Sequence, residues 1–222
     1  MNENYRTLLR PGAAEWIVQK SRFIGQAAPV ETEEEALDFI RRVREQTKDA
    51  THHCYAYIIG QNSGIMRYSD DGEPGGTAGL PMMEVLRKRG VVNAAAVVTR
   101  YFGGILLGAG GLVRAYSHAC ALGLDASQVI EMELSVIYLC AVGYPLWDRV
   151  AYALQVLPVQ VTDTSYTTEV GFTLTVRERD SAFVLDRLTQ VTDAQWTAME
   201  DRRCYQAWSA ADLANGTQAK PG

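Results

Sequence analysis

Along AEWIVQKSRFIGQAAPV, Trp16, Val18 and Lys20 alternate with period two, which predicts a strand, and Phe23 and Ile24 begin a second short stretch. Over residues 31–49 the period lengthens. Ala36, Leu37, Ile40 and Val43 form the apolar stripe of a helix, with Thr32 as its N-cap and glutamates in its first turn. ATHHCYAYIIG and GIMRYSD then read as a hairpin, turned at Gln61-Asn62-Ser63-Gly64. PMMEVLRKR predicts a helix with Pro81 in its first turn and Gly90 just past its end. VVNAAAVVTRYF is a nearly continuous apolar run, the pattern of a strand covered on both faces. LVRAYSHACALGLDAS predicts a last helix, with Leu112, Ala115, Ala119 and Leu122 inward and Arg114 and His118 on another face.

From residue 132 the pattern starts again. ELSVIYLCAV alternates, PLWDRVAYALQVL is helical, VQVTDTSY and TEVGFTLTVRE pair as a hairpin, DSAFVLDRLTQV is helical with Asp180 or Ser181 capping, and AQWTAMEDRRC is a last strand. That order, βαββαβ, is ferredoxin-like. The expected organisation is therefore α+β in two domains, 1–131 and 132–208, followed by a disordered tail over 209–222. No internal repeat or low-complexity segment interrupts it.

Composition narrows the function classes. With 47% apolar and 21% charged residues the chain is an ordinary globular protein. A net charge of −5 excludes a generally basic surface, so any nucleic-acid contact must use a local patch. The four cysteines, Cys54, Cys120, Cys140 and Cys204, sit singly in apolar segments and read as buried thiols in a reducing compartment. The N-terminus has no apolar signal-like core and no run approaches 18 apolar residues, so the expected location is cytoplasmic.

The densest candidate chemistry lies in YSDDGEPGGTAGLP, residues 68–81. Asp70, Asp71 and Glu73 are hard oxygen ligands, but their spacing matches no calcium loop. Asp71-Gly72 reads as a turn; Asp70 and Glu73 stay open between metal, acid–base and ion-pairing roles. His52 and His53 are neighbours on a strand and point to opposite faces, so they cannot easily share an ion and no metal is expected. One faces inward with a hydrogen bond and the other outward. GGTAG (Gly75, Gly76, Gly79) and GGILLGAGG (Gly103, Gly104, Gly108, Gly110, Gly111) each precede a helix, where they could cradle phosphate or serve close packing. No Walker A loop, dinucleotide fingerprint or GxSxG elbow is present, so no cofactor is expected and an enzyme is the less favoured reading. The run Arg87-Lys88-Arg89 complements the end of its helix.

Two segments, YSDDGEPGGTAGLPMMEVL and VVTRYFGGILLGAGGLVRAY, together resemble the signature of the IMPACT/YigZ family, with support from KSRFIG and ATHHCYAY. The resemblance implies an N-terminal domain like the second domain of ribosomal protein S-five, and a C-terminal one like the last domain of elongation factor G. Eukaryotic members regulate translation by binding a large activator of a stress kinase; nucleic-acid or ribosome binding has been proposed for bacterial members. The implied partner is thus RNA, the ribosome or a translation-related protein, with no membrane role. The alternative is a small-molecule hydrolase using Asp70 or Glu73 and Arg100 on an anionic substrate. Carried over by position, the binding surface comprises Arg22, His52, Tyr57, Asp70, Asp71 and Glu73. From the second half of the signature come Thr77, Thr99, Arg100, Tyr101, Arg114 and Tyr116. The sequence departs from the family pattern at Ile58, Leu80 and Leu106, where basic residues are common, and at His53 and Gly75. Three lost cations weaken any phosphate contact.

Overall fold

The computed structural model describes residues 4–208 and divides into two compact units, Tyr5–Ile130 and the remainder from Glu131 on together with Asn4. The tail expected to be disordered, 209–222, lies outside the described residues.

In the first unit the lead-in forms a short strand not foreseen from its sequence, β1 (Tyr5–Leu8). β2 (Gly12–Val18) and β3 (Ser21–Pro29) form a hairpin over Gln19 and Lys20, both with positive φ (45° and 64°). After α1 (Glu33–Gln46) come β4 (His52–Ile59), β5 (Ile65–Ser69), α2 (Gly79–Arg89), β6 (Ala94–Tyr101) and α3 (Gly108–Ala126). The sheet order is β2-β3-β6-β4-β5, with every pair antiparallel.

β6 is central, and its side chains alternate between two cores. Ala94, Ala96 and Val98 face α2 and α3 with Phe23, Met82, Leu86, Ala115 and Tyr116. Ala95 and Val97 face α1 with Phe39, Ile40, Val43 and Tyr57. The continuous apolar run is thus a strand covered on both faces. Burying one leucine-sized side chain in such a core contributes about 1.5–3 kcal/mol.

Local signals set the helix ends. Thr32 Oγ1 accepts from Glu35 N–H at 3.2 Å, and Gly90 closes α2 in the left-handed region at φ 63°. Two stripe assignments need correction. Leu37 is 48% exposed and Phe39 is buried in its place, because Ala36, Phe39, Ile40 and Val43 share a face that Leu37 leaves by about 100°. On α3, Leu122 is half-buried while Tyr116, Cys120 and Leu124 complete the stripe. Gly110 and Gly111 lie inside the first turn of α3 rather than in a preceding loop.

The second unit contains β7 (Val129–Val142), α4 (Tyr144–Val156), β8 (Val159–Tyr166), β9 (Val170–Arg177), α5 (Ser181–Val191) and β10 (Trp196–Ala207). Its four strands run in the order β10-β7-β9-β8, all antiparallel, the ferredoxin-like arrangement. Val136, Tyr138, Cys140 and Val142 pack with Val150, Phe172, Leu174, Val184 and Leu188. The expected cap of α5 is absent: Asp180 makes no side-chain cap bond, and Ser181 Oγ instead bonds Tyr138 OH at 2.6 Å. All four cysteines are free; Cys54, Cys120 and Cys140 are buried and Cys204 is half-buried.

Candidate functional site

The acidic segment 70–73 connects the end of β5 to the start of α2, and each acid has a separate structural task. Asp71 and Gly72 turn the chain with φ 43° and 87°, which favours glycine at the second position. The Asp71 carboxylate accepts from the His53 backbone N–H at 2.7 Å and pairs with Arg44 at 2.8 Å. Asp70 Oδ1 accepts from the N–H groups of Gly79 (2.8 Å) and Ala78 (3.0 Å), while Oδ2 accepts from Gly76 (2.8 Å). A carboxylate from the preceding turn therefore caps α2. Burial alone would raise the Asp70 pKa, but these three backbone donors together pull it below the ordinary carboxylate value.

This capping argues against the first glycine loop as a phosphate cradle, because the N–H groups of Gly76, Ala78 and Gly79 are already engaged by Asp70 and that of Thr77 by Pro74. Gly79 is needed for contact instead: a Cβ there would stand 2.7 Å from the Ser69 backbone. The same holds in the second loop at Gly103, where a Cβ would stand 2.0 Å from Lys20.

Glu73 turns inward. Its Oε1 accepts from Arg100 Nη1 at 2.6 Å and from Tyr116 OH at 2.7 Å, and the side chains of Glu73 and Arg100 are almost wholly enclosed. The Arg100 guanidinium also lies 5.4 Å from the centroids of both Phe23 and Phe102. Burial, with its Cys54 and Glu73 neighbours, drives the Tyr116 pKa upward, so the phenol stays a donor. Burial likewise pushes the Cys54 thiol up to about 12, which makes it a poor nucleophile at neutral pH.

His52 stands opposite Arg100 in the β4–β6 register and shares its face. Its Nδ1 donates to the Asp71 carbonyl at 2.8 Å, and Nε2 lies 3.9 Å from Glu73 Oε1. His53, on the other face, bonds Thr47 through Nε2 at 2.8 Å. The two rings point apart, as strand geometry requires. His53 lies on the more enclosed side, and burial lowers its pKa.

Around these groups lies a cavity of about 380 Å³ between the turn, the end of β6 and the start of α3. Thr51, His52, Glu73 and Arg100 supply its polar wall, and Phe102, Leu106, Leu107 and Leu112 its apolar wall. A larger groove of about 560 Å³ on the α1 side, with Glu35, Asp38 and Arg42 in its wall, contains none of the signature residues.

The sheet splits the residues carried over as one binding surface. His52, Glu73, Arg100 and Tyr116 meet on the α2–α3 side. Tyr57 bonds Glu33 Oε1 at 2.6 Å on the α1 side, and Arg22 lies over the Tyr101 ring at 5.2 Å. Arg22 also pairs with Glu15 at 2.7 Å, and Tyr101 OH donates to Asp49 at 3.2 Å. The surface description is corrected for Tyr57, Glu73, Thr77, Thr99, Arg100 and Tyr116, which are buried. They shape the site from within, since a buried polar group must be spent on a partner inside the fold. Thr77 follows this rule by donating to the Pro74 carbonyl at 2.6 Å. Thr99 Oγ1 and Arg100 Nε are exceptions, buried without a partner among the described residues. Arg114 remains exposed. Sequence reasoning missed Phe102, Leu107 and Leu112; an aromatic residue at the mouth of a glycine loop was the available signal. Among the described residues no group of three or more metal-ligating side chains is present.

Fold and site define a two-domain α+β protein whose signature encloses a Glu–Arg–Tyr network under a small cavity. Residues 19–124 match the Impact N-terminal domain, and residues 140–195 match a domain of unknown function, DUF1949. The chain is 39% identical over 205 residues to IMPACT family member YvyE of Bacillus subtilis, spanning 92% of this chain and 94% of that protein. It is 50% identical over 101 residues to IMPACT family member YigZ of Escherichia coli, 45% of this chain and 50% of that one. A solved structure, described as the crystal structure of an hypothetical protein, superposes with TM-score 0.57 at 30% identity, covering 91% of this chain and 99% of its own. The chain belongs to the IMPACT family.

Proposed function

We propose that the protein is a non-enzymatic binding protein of translation regulation, and that its N-terminal unit docks a protein surface on the ribosome or its factors. The observation that supports this reading is the loop from Phe102 to Leu107. Phe102 is 46% exposed, Ile105 41% and Leu106 84%, an apolar cluster in a single short segment. Apolar anchors of this kind dominate protein–protein association, whereas nucleic-acid contacts depend on cations. Leu106 stands where the family pattern often has lysine, and the chain carries a net charge of −5. The hydrolase alternative is less favoured, because Asp70 is committed to capping α2 and Glu73 is held in an ion pair with Arg100.

Co-sedimentation with purified ribosomes over a salt series tests the proposal. Wild type is expected to pellet with ribosomes and to remain bound as salt rises. The double variant Leu106→Asp/Arg114→Glu, both at exposed positions, is expected to bind about ten-fold more weakly or worse. The proposal fails if nothing associates at low salt, or if the variant behaves as wild type. It also fails if naked RNA competes and affinity falls steeply with salt.

A further inference from the structure

Two sources of hydrogen-bond donors that the fold leaves unused border the 380 Å³ cavity. The first is Arg100. Its Nη1 donates to Glu73, but its Nε is buried without a partner among the described residues, and the side chain is only 6% exposed. An enclosed N–H on a cation is costly to leave unpaired. Part of its cover is a surface side chain: Phe102, whose ring centroid lies 5.4 Å from the guanidinium, is 46% exposed.

The second source is the start of α3. Gly108 and Ala109 line the same cavity, no side chain caps the helix, and its first turn contains no acid. The first N–H groups of a helix have no partner within it and carry a partial positive charge. Gly110, in the same turn, is consistent with a group approaching from outside. Its φ is not positive and a Cβ there would meet nothing within 4 Å, so neither conformation nor packing inside the fold requires glycine. A glycine weakens a helix, and its distinctive property is to let another group come close to the backbone. The full charges in the wall balance, because Glu73 pairs with Arg100, so the helix end leaves a surplus of positive character.

We propose that this cavity is a binding site for a free small molecule that carries one carboxylate on an apolar or aromatic body. One carboxylate oxygen accepts from Arg100 Nε and the other from the first turn of α3, so both unused donors gain a charged acceptor. Arg100 then bridges two carboxylates, with Glu73 on Nη1. Leu106, Leu107 and Leu112 cover the apolar body. The Phe102 ring turns aside to open Nε, a rotamer change of a surface side chain. The inference rests on the cavity wall and is independent of which partner the exposed loop docks.

The full chain, labelled with nitrogen-15, is titrated with benzoate, benzamide and benzylamine, which share one body, and with acetate, which lacks it. Benzoate is expected to saturate and to shift the Arg100 Nε–H resonance, with the other three about ten-fold weaker or more. Arg100→Lys keeps a cation for Glu73 but removes Nε–H, which assigns that resonance by its loss and is expected to weaken benzoate about ten-fold. Ala109→Trp, at an exposed position of the first turn of α3, is expected to fill the mouth and abolish saturation while the thermal midpoint holds. This second variant decides the matter if Arg100→Lys does not fold. The proposal is overturned if benzoate does not saturate up to its solubility limit, if any of the other probes binds as tightly, or if either folded variant binds benzoate like wild type.

Discussion

Glu73 is the residue on which most of the signature chemistry converges, and its partners make its loss asymmetric. Glu73→Ala leaves Arg100 buried without its carboxylate, so unfolding in urea is expected to become easier by about 3–5 kcal/mol. Replacing both partners, as in Glu73→Leu/Arg100→Met, is expected to recover most of that loss, because no buried charge is then stranded. Asp70 gives a second, pH-dependent test. Its pKa is depressed in the folded state, so its stabilisation is fully present above the ordinary carboxylate value and is lost as pH falls through the folded value. Asp70→Ala is expected to cost about 2 kcal/mol at neutral pH and to flatten the acid side of the stability curve. Denaturant midpoints measured from pH 7 down to acid would show both effects. Asp70, Asp71 and Glu73 were recognisable as special residues in the sequence. Their division into cap, turn and buried ion pair was not, because the Asp70 partners come from the next helix and the Glu73 partners from β6 and α3.

At the scale of elements, the decisive contact is α3 against β3. Gly25 and Gly123 let the two backbones approach closely: a Cβ on Gly25 would stand 1.9 Å from the Ala119 carbonyl oxygen. Gly25→Ala is therefore expected to destabilise the first unit by about 3 kcal/mol, through displacement of α3 from the sheet. Amide hydrogen exchange should show faster exchange in α3 and β3, with α1 least affected since it covers the opposite face. Helices and strands were largely legible from periodicity, including the Thr32 cap and the Gly90 stop. The errors fell at β1, at Leu37 and Leu122, at the cap of α5 and at the first turn of α3. A four-residue strand carries too little pattern to read, and one apolar residue beside a stripe looks like part of it. Glycines in a helix mimic a loop until packing fixes the first turn.

For the whole molecule, each unit contains its own core, so damage should stay local. Leu188 is wholly buried among Val150, Phe172 and Val184 in the second unit. Leu188→Ala is expected to cost that unit about 2–5 kcal/mol while protection over residues 12–126 is unchanged, as read by hydrogen exchange residue by residue. The sequence by itself determined the two-part α+β order, the ferredoxin-like pattern and membership of the family, since periodicity and local motifs are properties of neighbouring residues. It also located the stretch YSDDGEPGGTAGLP as the point where the chain does something unusual. Only the tertiary structure decided which face each signature residue occupies, that six of the residues expected on a surface are buried, and that Glu73 and His52 border one cavity. Those outcomes depend on strand register and on helices brought in from distant parts of the chain. A register of period two sends adjacent residues such as His52 and His53 to opposite sides, and the motif alone does not say what either side contains.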